Sequence, residues 1–386
     1  MDFQIGNDNI YKEDLDEIDE LKDDEELILP KDGEKKILWQ AKDFSIREFQ
    51  TMCKEGSLNL RPDYQRNFVM DIKLSSKLVE SILMDVPIPV IYLAEEDDEI
   101  YSVIDGQQRL TTFISYLDGK FPDTKNFELT NLKVLTDLNK SKFCDLNRKL
   151  QSKIKTTTLH TIIIKKESSE DIKFEIFERL NTGSIKLNED EIRNTIYRGE
   201  YIRLLAELEN NETFSKMINR ENYKKRMLYR GMILRFFALS EKTYLNYKPS
   251  MKQFCNKELR DNKNLTDDKK KEYGERFKKA VEITYTVFGE KAFRRFSTGD
   301  DSDVNGRWNI SRLNMALFDI ELCGFVNYSK HQIIPKADAI REALIKLMST
   351  NEKFIDSIEI ATNDRQKVKT RFTIWIETLE KIVGTP

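Results

Sequence analysis

The apolar periodicity of this chain changes once. Up to about residue 200, short runs rich in β-branched and aromatic residues (PVIYLA, EIYSVID, HTIIIKK) alternate with helical patterns. Beyond it the β signals vanish, and GMILRFFALS, ERFKKAVEITYTVFG, ISRLNMALFDIEL, ADAIREALIKLMS and QKVKTRFTIWIETLEKIV each repeat every three to four residues. Strands repeat about every 2 residues and helices about every 3.6, so one sequence cannot serve both. The pattern predicts an α+β fold, with a mixed α/β domain over 37–199 followed by an all-α helical domain over 200–386.

Local signals fill in the first domain. KKILWQ reads as a strand, and Ser45 with Glu48 forms a capping box for a helix closing near Gly56. LNLRPDYQRNFVMD is irregular, held extended by Pro62. A helix from Asp71 carries the stripe Leu74, Leu78, Val79, Ile82 and Leu83, and Pro87 and Pro89 end it. PVIYLA and EIYSVID form a hairpin across the acidic turn EEDDE. After Gly106 a helix packs through Leu110, Phe113, Ile114 and Leu117 and closes at Gly119. HTIIIKK is a further strand, SSEDIKFEIFERLNTG a helix ended by Gly183, and Asn188 with Glu191 caps the next helix. The long unpatterned insert is STGDDSDVNGR, 297–307.

Charge and cysteine usage narrow the function. Residues 1–36 hold fourteen Asp and Glu against five Lys, a balance of −9, so residues 37–386 carry +6. The arm has too little apolar surface to offset ordering entropy and reads as a solvated, disordered tail. A sharper reading makes it a phosphate mimic resting on a basic groove. Cys53, Cys144, Cys255 and Cys323 are too scattered for a metal knuckle or a disulfide framework and read as reduced thiols. His160 and His331 are the only histidines and lie far apart, which argues against cleavage of the HNH type. No apolar run approaches the roughly 20 residues that span a bilayer, and the N-terminus has no signal-peptide pattern, so a cytoplasmic location is expected.

The chemistry concentrates in VIDGQQRLTTF, 103–113. A strand running through glycine into a helix leaves backbone N–H groups pointing outward at the positive end of the dipole, a site for an anion. Gly106 lets the backbone approach closely, and Arg109 offers a planar charged fork to phosphate oxygens. Asp105 could hold Mg²⁺ through water, Gln107 and Gln108 could orient a water or read a base edge, and Thr111 adds a hydroxyl one turn in. The plainer alternative makes Asp105 an N-cap, Gly106 a turn residue and Arg109 an i, i+4 partner of Asp105. RPDYQR puts Tyr64, Gln65 and Arg66 in an irregular loop, and FERLNTGS places Arg179, Asn181 and Thr182 at a helix end.

RPDYQRNFVMD, KLVESILMDVPIPVIYL, VIDGQQRLTTF and FERLNTGS followed by LNEDEIRN, in this order, resemble the GmrSD-type restriction N-terminal family. The likeness continues through MILRFFAL, MKQFCNKE, VFGEKAFRRF and TNDRQKVKTRFTIW. It implies a ParB/sulfiredoxin-like nucleotide-binding domain with DGQQR as its nucleoside-triphosphate motif, joined to a helical domain, in bacterial defence against phage or modified foreign DNA. The residues carried over are Asp105, Gly106, Gln107, Gln108 and Arg109, with Tyr64, Gln65 and Arg66 close by and Asn181, Thr182 and Gly183 opposite. An NTP of unspecified base and Mg²⁺ are the implied cofactors. Three departures stand out: Met70 for the usual tryptophan, Ser184 for a second glycine, and Tyr229, Arg230 and Gly231 where acidic residues usually precede the LRF sequence. Many relatives carry an HNH nuclease domain, fused or as a neighbouring gene product. No such motif stands here, so a separate nuclease subunit is the expected partner. The rival readings are a non-enzymatic adaptor holding nucleotide or DNA, and a Mg²⁺-dependent nuclease.

Two segments interleave cations with aromatics as DNA-binding surfaces do. NYKKRMLYRGMILR carries Lys224, Lys225, Arg226 and Arg230 among Tyr223 and Tyr229, and KAFRRF carries Arg294 and Arg295. A solvated helix face explains the same residues.

If the acidic arm lies in a basic groove, a chain starting near Lys36 should bind DNA more tightly at low salt. Its log affinity should also fall more steeply with log salt, by roughly 0.9 per additional phosphate neutralised. Equal slopes with and without the arm would leave only the solvated tail.

Overall fold

The computed structural model describes residues 37–60, 71–96, 100–121, 125–180, 188–299 and 306–386. Two compact bodies divide them, one ending at Ile196 and one beginning at Tyr197. No helix among the described residues is long and apolar enough to cross a membrane.

The first body is built on a five-stranded mixed sheet of order β1-β7-β4-β5-β3. Its strands are β1 (Trp39–Ala41), β3 (Leu58–Asn59), β4 (Ile91–Glu95), β5 (Tyr101–Asp105) and β7 (Thr161–Ile164), while β2 (Phe44–Ser45) and β6 (Thr158–Leu159) form a separate antiparallel pair. β4 and β5 are the predicted hairpin, antiparallel with a bulge at Tyr92/Leu93, and β3 lies parallel to β5. Helices α1 (Ile46–Glu55), α2 (Ile72–Leu83), α3 (Gln107–Asp118), α4 (Arg148–Thr156), α5 (Glu170–Leu180) and α6 (Glu189–Ile196) complete the body. Phe49, Ile82, Leu93, Val103, Leu110, Phe113, Tyr116 and Ile163 are among its buried core residues.

Local codes act as the sequence predicts. Ser45 and Glu48 form the capping box of α1, and Gly56 ends that helix in the left-handed conformation. Asp71 caps α2, Gly119 ends α3 at φ +73°, and Asn188 and Glu191 bond each other's backbone amides at the start of α6. The stripe on α2 differs. Leu74 is 52% exposed, while Ser75, Ser76 and Glu80 are buried. The loop packed on this helix explains the rotation. Ser76 accepts the Thr130 amide (3.0 Å), and Glu80 accepts those of Val134 (2.9 Å) and Leu135 (2.8 Å). Satisfying buried backbone donors outweighs burying one more leucine.

The second body is helical: α7 (Glu200–Leu208), α8 (Glu212–Ile218), α9 (Glu221–Lys225), α10 (Leu228–Leu239), α11 (Met251–Asp261), α12 (Asp267–Phe288), α13 (Met315–Cys323), α14 (Lys330–Ile333), α15 (Ala337–Thr350), α16 (Glu352–Glu359) and α17 (Arg365–Val383). A ribbon of two short strands, β8 (Phe296–Ser297) and β9 (Arg307–Trp308), flanks the predicted insert, whose residues 300–305 lie outside the described ones. At the centre a single carboxylate holds two guanidinium groups. Asp319 on α13, fully buried, takes Arg235 of α10 through both oxygens (2.7 and 2.9 Å) and Arg371 of α17 at 2.6 Å.

Removing one side of a buried pair leaves charge without a partner, which costs about 3–5 kcal/mol. Asp319→Asn should therefore lower the stability of the helical body by that order and shift its urea midpoint accordingly. An unchanged midpoint would show that the arginines find other partners.

Candidate functional site

The corner between β5 and α3 forms because only glycine fits at its apex. Gly106 has φ +101°, and a Cβ there would stand 2.4 Å from Ile91 Cδ1. The Gly106 carbonyl accepts the first helical bond, from the Leu110 amide at 2.9 Å. No side chain caps α3. Asp105, the expected N-cap in the plainer reading, lies one residue too early and turns instead to Arg109.

Arg109 fastens the corner. Nη2 donates to Asp105 Oδ2 (2.5 Å), and Nη1 donates to the carbonyls of Pro89 (2.5 Å) and Val90 (3.3 Å) at the start of β4. Its side chain is 15% exposed against 46% for Asp105, so the carboxylate faces outward and the guanidinium inward. Thus the i, i+4 pair foreseen as the plain alternative is formed, with the Pro89 carbonyl as an additional anchor. Gln107 Nε2 donates to the Leu60 carbonyl (2.9 Å), so the end of β3 joins the same rim. Gln108 is half-buried, and Thr111 is buried one turn in.

The rim continues on the other side of β4. The Ile91 amide bonds the His160 carbonyl (2.9 Å), and the exposed His160 ring places Nδ1 3.0 Å from both carboxylate oxygens of Asp43. Neither Asp43 nor the carbonyls of Leu60 and Pro89 announce themselves in the sequence. Only strand pairing brings them to this edge.

Tyr64, Gln65 and Arg66 lie outside the described residues, as do Met70, Asn181, Thr182, Gly183 and Ser184. What flanks those segments is described. Leu60, beside Gln107, immediately precedes 61–70. Arg179 stands exposed in the last turn of α5, a helix that packs on β5. In α6, Arg193 is buried, pairs with Asp190 (2.6 Å) and Glu189 (2.7 Å), and lies over the Phe174 ring of α5. Burial pushes the Asp190 carboxyl up to about 6 against the pull of the Arg193 guanidinium.

The cationic segments of the helical body are mostly spent on structure. Arg294, 2% exposed, donates to the carbonyls of Ala292, Met217, Ile218 and Ile310. Arg230 forks onto Glu209 (2.9 and 2.7 Å), Arg295 pairs with Glu359, and Arg226 is half-buried. Tyr223 and Tyr229 are buried, so they offer no ring to a base. Lys224 and Lys225 remain exposed, with Lys224 bonded to Asn210 (2.6 Å). Interleaved aromatics and cations here mark a core with inward-turned arginines rather than a stacking surface.

Among the described residues no group of three or more His, Cys, Asp or Glu could hold a metal ion by itself. Asp105 contributes one carboxylate, with Oδ2 on Arg109. That suits Mg²⁺ only as an ion carried in by phosphates, which supply most of its ligands.

Residues 46–198 match the family model described as GmrSD restriction endonuclease, N-terminal domain, and this stretch is a domain of that family. The match supports a component of a restriction system and encloses the whole corner. It ends before the helical segments in which the likeness was also read. No curated protein and no solved structure matches the chain.

Gly106→Ala would place a methyl against Ile91 in a backbone conformation unfavourable to L-residues. It should cost about 2–4 kcal/mol, combining left-handed strain with overpacking. A thermal melt equal to that of the native chain would mean the corner relaxes without needing glycine.

Proposed function

We propose that the corner at Asp105–Arg109 binds the phosphates of a nucleoside triphosphate and promotes its hydrolysis, as a sensor or regulatory element of a DNA restriction or anti-phage system. Modified foreign DNA is the target sensed, and a separate nuclease subunit does the cutting. The observation that carries the reading is the helix start itself. Glycine-only backbone leads into a first turn with no side-chain cap, beside an outward-facing carboxylate and a guanidinium fork.

The roles follow from what each group faces. First-turn amides of α3 donate to phosphate oxygens, which the helix dipole favours. Arg109 keeps Nη1 on Pro89 while Nη2 exchanges the Asp105 carboxylate for a phosphate oxygen. Asp105, so released, takes the proton of an attacking water or holds Mg²⁺ by one oxygen. When bound, that ion would offset phosphate charge. Gln108 orients the water, and Gln107 keeps the loop after β3 at the site through Leu60. Tyr64, Gln65, Arg66, Thr111, Arg179, Asn181, Thr182 and Gly183 belong to the nucleotide-binding side of this proposal. The adaptor reading draws its support from the inward turn of Arg109, which fixes a conformation without any chemistry.

Phosphate release from each of the four common triphosphates, with and without DNA, separates the two. Hydrolysis of at least one is expected. Gln108→Ala should bind nucleotide normally but turn over at least tenfold more slowly. Arg109→Lys keeps a charge but loses the fork, and should weaken nucleotide binding by about 1 kcal/mol, because on Nη2 the phosphate only replaces the Asp105 carboxylate. Stoichiometric binding without phosphate release would establish the adaptor. Absence of binding altogether would leave the corner as a structural clamp.

A further inference from the structure

One stretch of the N-terminal body carries a strong excess of cations. Residues 133–155 contain seven Lys and Arg, at 133, 140, 142, 148, 149, 153 and 155, against Asp137 and Asp145, a net of +5. This is the loop after α3 together with α4. Its apolar residues Leu146 and Ile154 enter the core, while Phe127 and Phe143 pack edge-on against the Tyr116 ring of α3. The cations between them are therefore left outside.

Three of the seven are engaged. Lys142 lies 3.6 Å from Glu128, Lys153 bonds Asp85 (2.6 Å) and the Leu83 carbonyl (2.9 Å), and Lys155 sits over the Phe143 ring. Lys133, Lys140, Arg148 and Lys149 are exposed, and among the described residues none of these four side chains is ion-paired. Arg148 and Lys149 occupy the first turn of α4, which holds no acidic residue. Cations oppose the dipole at that end, so helix stability does not account for them.

The backbone beneath this surface is fixed. Burial alone would raise the Glu80 carboxyl, but the amides of Leu135, Val134 and Lys133 outweigh it and hold it below the ordinary range. The Lys140 amide bonds the Leu129 carbonyl at 2.7 Å, and Asn147 caps α4. A rigid surface whose seven cations are offset within the segment only by Asp137 and Asp145 keeps a net mutual repulsion unless a polyanion relieves it.

We propose that this surface, Lys133, Lys140, Arg148 and Lys149 on the loop and helix α4, is where the N-terminal body meets the phosphate backbone of double-stranded DNA. That DNA is the polyanion rests on the restriction-system reading; the position and charge of the surface do not. A protein partner fits less well, because stable protein interfaces centre on apolar anchors. Val134 is the one large apolar side chain exposed along this stretch. Asn131 and Ser152, also exposed, add neutral hydrogen-bonding groups of the kind that meet phosphates.

The test uses the full chain, a labelled DNA duplex of mixed sequence and a series of salt concentrations. Replacing Lys133, Lys140, Arg148 and Lys149 together by Gln should reduce the slope of log affinity against log salt by roughly 3 to 4, at about 0.9 for each phosphate that is no longer neutralised. Low-salt affinity should fall at least tenfold. Lys224→Gln with Lys225→Gln should leave both quantities near native. The reverse pattern would overturn the proposal, as would native slope and affinity in the fourfold variant. Retention of the native chain by phosphatidylserine vesicles without any DNA binding would overturn it too and make the surface one for membranes. Thermal melting and nucleotide-driven phosphate release without DNA should be unchanged in the fourfold variant. A defect in DNA binding is thereby separated from misfolding and from failure of the corner reading.

Discussion

The guanidinium of Arg109 is the tie on which the first body's working edge depends. One side chain on the first turn of α3 reaches the end of β5 through Asp105 and the start of β4 through Pro89. Those are the antiparallel pair at the heart of the sheet, and α3 supplies Leu110 and Phe113 to the same core. A carboxylate and a carbonyl together satisfy a donor array that would be costly to bury unpaired. The hairpin, the glycine corner and the helix therefore share one geometry, and Gln107 extends it to β3.

What was legible in the sequence divides by the distance over which each interaction acts. Capping pairs such as Ser45 with Glu48 and Asn188 with Glu191 operate three residues apart and stand where the spacing predicts them. So does the Asp105–Arg109 pair at i, i+4. The Pro89 carbonyl that completes the clamp is twenty residues away, and nothing in the local pattern signals it. The same limit misplaces Leu74. A helical wheel ranks faces by apolarity, whereas α2 turns Ser76 and Glu80 inward to meet amides more than fifty residues along the chain.

Arginine and lysine also divide by use, which a net charge conceals. In the helical body Arg235, Arg294 and Arg371 are buried, their forks distributed over carboxylates and carbonyls. A planar guanidinium satisfies several acceptors at fixed angles and is weakly hydrated, so it tolerates burial where an ammonium would not. The segment over 133–155 instead leaves Lys133, Lys140, Arg148 and Lys149 exposed. Segments of similar basic composition thus come to opposite ends. The tyrosines interleaved with arginines at 223–230 are buried in packing, while at 133–155 the single aromatic, Phe143, turns into the core and leaves those four cations exposed.

An inward-turned arginine also bears on how a triphosphate would act at the corner. In the present arrangement Nη2 is already satisfied by Asp105, so a phosphate gains only the difference between two charge-assisted bonds. Affinity from Arg109 alone is then modest. The exchange leaves Asp105 without its counter-charge just when a water or a cation can use it. Under the proposed exchange, binding and activation would be the same event, and the corner would stay closed on itself without nucleotide.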